Sequence, residues 1–154
     1  GAQAKQLRTE AQQKANLILA GTTDEQRVMD FLLGAKAAEW DAISPIILAA
    51  PGGREKLAQA VAQTITRRAE SSMRGAIADM QLMTENLVRN NLMDRRQADR
   101  IVQQLQDVFV APTDNLTKNT MAQRLIRNAI IGYAIPGVGR GVTAGVEAMT
   151  GEQQ

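Results

Sequence analysis

An all-α fold is what this chain predicts: an elongated bundle of about five to six helices around one long central helix. Three observations carry that expectation. No stretch keeps the period-2 alternation of a half-buried strand. Apolar residues instead recur three or four positions apart through most of the chain, the longest series running Leu57, Val61, Ile65, Ala69, Met73, Ile77, Met80, Met83, Leu87. Strong breakers are few and grouped, with Pro51-Gly52-Gly53 the clearest.

The elements follow in order. Residues 2–20 are rich in Ala, Gln and Lys, place Leu7, Ala11, Ala15 and Ile18 on one face, and meet Gly21 as a C′ residue. Thr22 with Glu25, or Thr23 with Gln26, forms a capping box that opens a second stretch from Val28 through Phe31, Leu32 and Ala35 to Trp40 and Ile43. Ser44-Pro45 reads as an N-cap followed by a first helical residue, giving a short turn over 45–50. The long stripe predicts one helix over 54–89, disturbed only by Gly75. Its 36 residues would extend about 54 Å at 1.5 Å each, beyond the roughly 40 Å diameter of a globule of this chain length, so the molecule should be elongated, kinked near Gly75, or packed against other copies. Asp94 with Gln97 caps a helix over about 95–109, the loop 110–115 follows, and 116–135 is helical until Ile135-Pro136-Gly137. Two regions result: a helical bundle over 1–111, and over 112–154 a C-terminal helix with a glycine-rich apolar tail. The Gly1-Ala2 start, without an initiator Met, raises the expectation of a piece of a larger chain.

Composition narrows the chemistry. The chain has no Cys and no His, which removes disulfides, thiolate and imidazole nucleophiles and Cys/His zinc sites. No catalytic residue, cofactor site, metal site or small-molecule substrate is therefore expected. Eighteen Lys and Arg against sixteen Asp and Glu give a net charge of +2, too small for bulk attraction to nucleic acid to lead. Aromatic residues are only 3%, so the core must be Leu, Ile, Val, Met and Ala. No apolar run reaches the roughly 18–20 residues a membrane span needs, and residues 1–20 are too polar for a secretory signal.

The C-terminal stretch 137-GVGRGVTAGVEA-148 repeats Gly-Val every four residues. On a helix, Gly137, Gly141 and Gly145 would make one smooth stripe beside Val138, Val142 and Val146. Three interior glycines cost about 3 kcal/mol relative to Ala unless close packing offsets them. Just upstream, NAIIGYAIPGVG (128–139) is an uncharged run flanked by Arg124, Arg127 and Arg140. It is too short to span a bilayer and long enough to lie in a lipid interface. The expected self-association, membrane or partner surface is accordingly Ile130, Ile131, Tyr133, Ile135, Gly137, Val138, Gly141, Val142, Gly145 and Val146, with membrane contact through 128–149. A flexible tail, or a short helix docked on the chain's own core, is the competing reading.

Other signals are weaker. Arg67, Arg68 and Arg74, and Arg95, Arg96 and Arg100, could touch phosphates, but Glu70 stands four before Arg74 and Arg95 four before Asp99, so solvated intrahelical pairs explain much of them. DNA contact should be weak and non-specific. The loop 137-GVGRG-141 lacks the preceding strand and the Gly-Lys-Ser/Thr of a phosphate cradle. Met73, Ile77, Met80 and Met83 could line a groove for a partner helix, although at helical spacing they suit a core better.

The stretch 70-ESSMRGAIADMQLM-83 resembles a compressed form of the lytic transglycosylase motifs, a likeness that implies Glu70 as general acid. It lacks the Asn-Pro after Glu-Ser and the glycines before Met-Gln, and the chain lacks the aromatic residues of a sugar cleft. An exposed helix residue is the preferred reading of Glu70. In overall style the Ala- and Gln-rich helices, the overlong 54–89 segment and the striped tail resemble the internal virion proteins of tailed bacteriophages, namely ejection (pilot) proteins and helical tape-measure proteins. That resemblance implies a structural, self-associating helical protein taking part in genome delivery. Its partners would be copies of itself and other virion proteins. It would reside in the virion, then in the host envelope after delivery; failing that, the cytoplasm. A non-enzymatic adaptor that binds a partner helix is the alternative, and a transglycosylase-like fragment the third.

Overall fold

The computed structural model describes residues 1–21 and 24–132 of the 154. Among these residues the secondary structure is entirely helical, in seven segments: α1 (Ala2–Leu19), α2 (Glu25–Gly34), α3 (Ala37–Ala49), α4 (Gly53–Ser71), α5 (Met73–Arg89), α6 (Arg95–Val110) and α7 (Asn115–Ile131). The fold class is as the sequence predicts; the number and lengths of the helices differ.

The difference begins where one helix was expected from Val28 to Ile43. Gly34 ends α2, and Ala35 and Lys36 are extended. Glu39 Oε1 then accepts the Lys36 backbone N–H at 3.2 Å, which satisfies a donor at the new helix start. Asp24 caps α2: its Oδ1 accepts the Arg27 N–H at 3.1 Å, while the Gln26 amide donates to Asp30. Thr22 and Thr23 lie outside the described residues. Pro45, expected to open a helix, sits inside α3. A proline there forfeits one helical hydrogen bond. Its ring is exposed, and the helix continues because Trp40, Ile43 and Ile47 on the opposite face are all buried.

The expected long central helix is two helices. Ser71 ends α4 and Ser72 is extended, at φ −160° and ψ 109°, before α5 begins at Met73. The break lies three residues before Gly75, where a kink was expected. Gly75 still matters, because a Cβ there would collide with the Arg68 guanidinium, which crosses over it to reach Asp79 at 2.9 Å. The overhang inferred from a straight rod disappears with the rod.

Packing is organised around α4, which touches α1, α2, α3, α5 and α7. Its Leu57, Ala58, Val61, Ala62 and Ile65 are all fully buried. Helix α7 runs antiparallel to it: Arg54 at the start of α4 bonds the Ile130 carbonyl at 3.0 Å, and Thr66 near its end receives the Gln123 amide at 3.4 Å. Helix α6 packs on α5 and α7 and completes one core with Met80, Leu87, Ile101, Leu105 and Ile126. Helix α5 closes in a Schellman arrangement with Asn91 left-handed at φ 60°; the Leu92 N–H reaches the Leu87 carbonyl at 2.8 Å and the Asn91 N–H reaches Val88 at 3.1 Å.

Candidate self-association surface

Of the ten residues expected at the interface, eight (Tyr133, Ile135, Gly137, Val138, Gly141, Val142, Gly145 and Val146) lie outside the described residues. The two that are described do not form a surface. Ile130 is fully buried in α7, and its carbonyl is tied to Arg54. Ile131 is half-buried against the same core. Ile130 is thus corrected from interface to core, because the apolar face of 116–131 is consumed by α4 and α6.

The methionine groove is likewise not formed. Met80 and Met83 are buried, and only Met73 and Ile77 retain exposure. Those two instead line an open hollow with Phe109 and Val110, rimmed by Arg74 and Asp107. The hollow sits where the start of α5 meets the end of α6. Val110 is 75% exposed, Met73 48%, and Leu116, in the first turn of α7, 78%. Lys118 holds that turn against the end of α6, its Nζ donating to the Phe109 carbonyl at 3.0 Å. One end of the bundle therefore presents several large apolar side chains to water. Leu7 on α1, Leu48 on α3 and Leu82 further along α5 are also exposed; single exposed leucines are ordinary on any protein.

A second hollow lies between α1, α2 and α4, lined by Leu17, Val28, Met29 and Ala60. Lys56 donates to the Leu19 carbonyl at 2.9 Å on its rim, and Arg67 pairs with Glu25. At about 150 Å³ it is smaller than the roughly 300–1,000 Å³ of usual ligand sites.

Three arginines of the basic clusters are engaged in pairs between helices. Arg67 binds Glu25, Arg68 binds Asp79 and Arg95 binds Glu85 at 2.7 Å, in place of the expected intrahelical pair with Asp99. The Arg95 guanidinium holds the Glu85 carboxyl below its ordinary range. Lys14 does the same to Glu39 through a 2.7 Å bond from α1 to α3, and Arg89 with Asn90 to Asp41. Each of these is an exposed or partly exposed structural pair rather than a tuned reactive group. Glu70 is exposed near the end of α4.

The expected capping box of Asp94 and Gln97 is absent. Asp94 caps α6 without a side-chain bond, and the buried Gln97 Oε1 finds no hydrogen-bond partner. Among the described residues no group of three or more Asp or Glu side chains is placed to hold a metal ion, and no helix is long and apolar enough to cross a membrane. Compared with protein-family models, with curated proteins and with solved structures, the chain matches none.

Proposed function

We propose that this chain is a structural, self-associating helical protein that acts as an internal virion component in the delivery of a phage genome into its host. The observation that carries the self-association is the apolar end of the bundle, where Met73 and Val110 stand in water at a hollow lined also by Ile77 and Phe109, and Leu116 is exposed in the first turn of α7. Clustered apolar surface of this kind gains free energy by association, at about 25 cal/mol per Å² removed from water. The phage context rests on the resemblance in composition, the Ala- and Gln-rich helices and the glycine-striped tail sequence, and no longer on the overlong helix, which is two helices. It is supported by the absence of any carboxylate between Asp114 and Glu147, a stretch with four cations and the uncharged run 128–139, which suits an approach to anionic lipid.

Light scattering coupled to size exclusion, with and without vesicles containing anionic lipid, tests the proposal. The chain should form oligomers at micromolar concentration and co-migrate with the vesicles. A monomer at every concentration that ignores the vesicles removes it.

A further inference from the structure

The joint between α4 and α5 is one residue long, and nothing in its sequence forbids a helix. Ser72 is neither Gly nor Pro, and the apolar stripe passes through it unbroken, with Ala69, Met73 and Ile77 four apart. In the bent form this stripe is interrupted, and Met73 stands half in water. What maintains the bend is a small set of contacts. Ser72 Oγ accepts the Gly75 N–H at 2.9 Å, and Arg68 Nε reaches Asp79 Oδ2 at 2.9 Å across the open face of Gly75. In a straight helix residues 68 and 79 would be about 16 Å apart along the axis, so the ion pair exists only while the joint is bent. Straightening would exchange those contacts for three helical hydrogen bonds, from the N–H groups of Met73, Arg74 and Gly75 to the carbonyls of Ala69, Glu70 and Ser71.

We infer that Ser72 is a swap hinge: α4 and α5 join into one continuous rod, and α5–α7 of one copy pack on α1–α4 of a second copy of this chain. The packing of α4 on α7 and of α3 on α5 is then re-formed between copies, so little core is lost. A short linker between helices that share one continuous apolar stripe invites exchange between identical chains. The inference rests on the self-association proposed above and adds to it a second contact between copies, one that exchanges core packing instead of covering Val110 and Leu116.

The absence of cysteine makes the test direct, because Glu55→Cys and Leu82→Cys, both at exposed positions, introduce the only thiols. Nitroxides on these residues, in labelled chains diluted with unlabelled ones, should lie about 40 Å apart in the rod and closer in the bent form. Ser72→Ala removes the cap and favours helix, and should raise the dimer-to-monomer ratio at least roughly tenfold, with the dimer fraction showing the long distance. Inserting Gly-Asn-Gly after Ser72 should abolish that dimer while helical content, followed by circular dichroism, is retained. A dimer that keeps the short distance overturns the hinge and leaves self-association standing. A Ser72→Ala protein no more dimeric than the parent also overturns it, and monomers throughout, parent included, remove both.

Discussion

Gly52 and Gly53 are adjacent in sequence and differ in what they tolerate. Gly52 is left-handed at φ +66° with open space around its α-carbon, so Gly52→Ala meets only the backbone penalty of about 1 kcal/mol. A Cβ on Gly53 would fall on the Ile47 carbonyl oxygen, which is backbone and cannot swing aside. Gly53→Ala should therefore cost about 3 kcal/mol, the more severe of the two in urea titrations. Equal losses would disprove the close approach of α3 and α4. Arg54, the next residue, donates Nη1 to the carbonyls of Leu92 at 3.2 Å and Ile130 at 3.0 Å, joining the turn after α5 to the last turn of α7. Arg54→Ala should destabilise by about 2 kcal/mol and Arg54→Lys by less, since an ammonium can keep one of these bonds although it lacks the fork that reaches both carbonyls. Hydrogen exchange at the last turn of α7 should rise in step.

At the scale of elements, ion pairs join helices that the sequence shows only as neighbours in a list. Lys14 links α1 to α3, Arg89 links α5 to α3, and Arg95 links α6 to α5. The carboxyls concerned, Glu39, Asp41 and Glu85, are held below their ordinary values by those cations, and Asp114 by the Thr117 N–H. A lowered folded-state pKa contributes stability that is fully present above the unfolded value and is lost as pH falls through the folded one. Thermal midpoints should therefore be flat near neutrality and drop once the pH passes below the ordinary values of 4.5 for Glu and 3.8 for Asp. Glu39→Gln should blunt the drop; a profile identical to the parent would show that the α1 to α3 pair contributes nothing. The pairs themselves were not legible in the sequence. Expected partners four residues apart, such as Arg95 with Asp99, gave way to Glu85, because the turn between α5 and α6 brings the two helices within reach.

For the molecule as a whole, the consequence of the fold is an uneven surface. The apolar faces of α4 and α7 are spent on each other, while the end formed by α5, α6 and the first turn of α7 keeps Val110 and Leu116 in water. Val110→Lys combined with Leu116→Lys should shift assemblies larger than the exchanged dimer toward that dimer while leaving the melting temperature within a few degrees, because neither side chain is part of the core. Unchanged oligomers would move the contact elsewhere. Sequence reasoning missed this end because both residues lie at helix boundaries, where periodicity says little about which side faces inward; their position beside the 110–115 loop was the available signal.

The sequence by itself determined the class of structure, the helical character of nearly every segment, the Pro51-Gly52-Gly53 turn and the loop before α7. These depend on interactions within about four residues: period, capping and the backbone limits of proline and glycine. Only the tertiary structure decided that Pro45 stays inside a helix, that Ile130 is core, and that the stripe from Leu57 to Leu87 bends at Ser72. The same pattern of apolar residues fits a straight rod and a bent pair equally well. The choice between them falls to contacts beyond one helical turn, such as Arg68 with Asp79 across the joint, and to the core that α7 completes against α4.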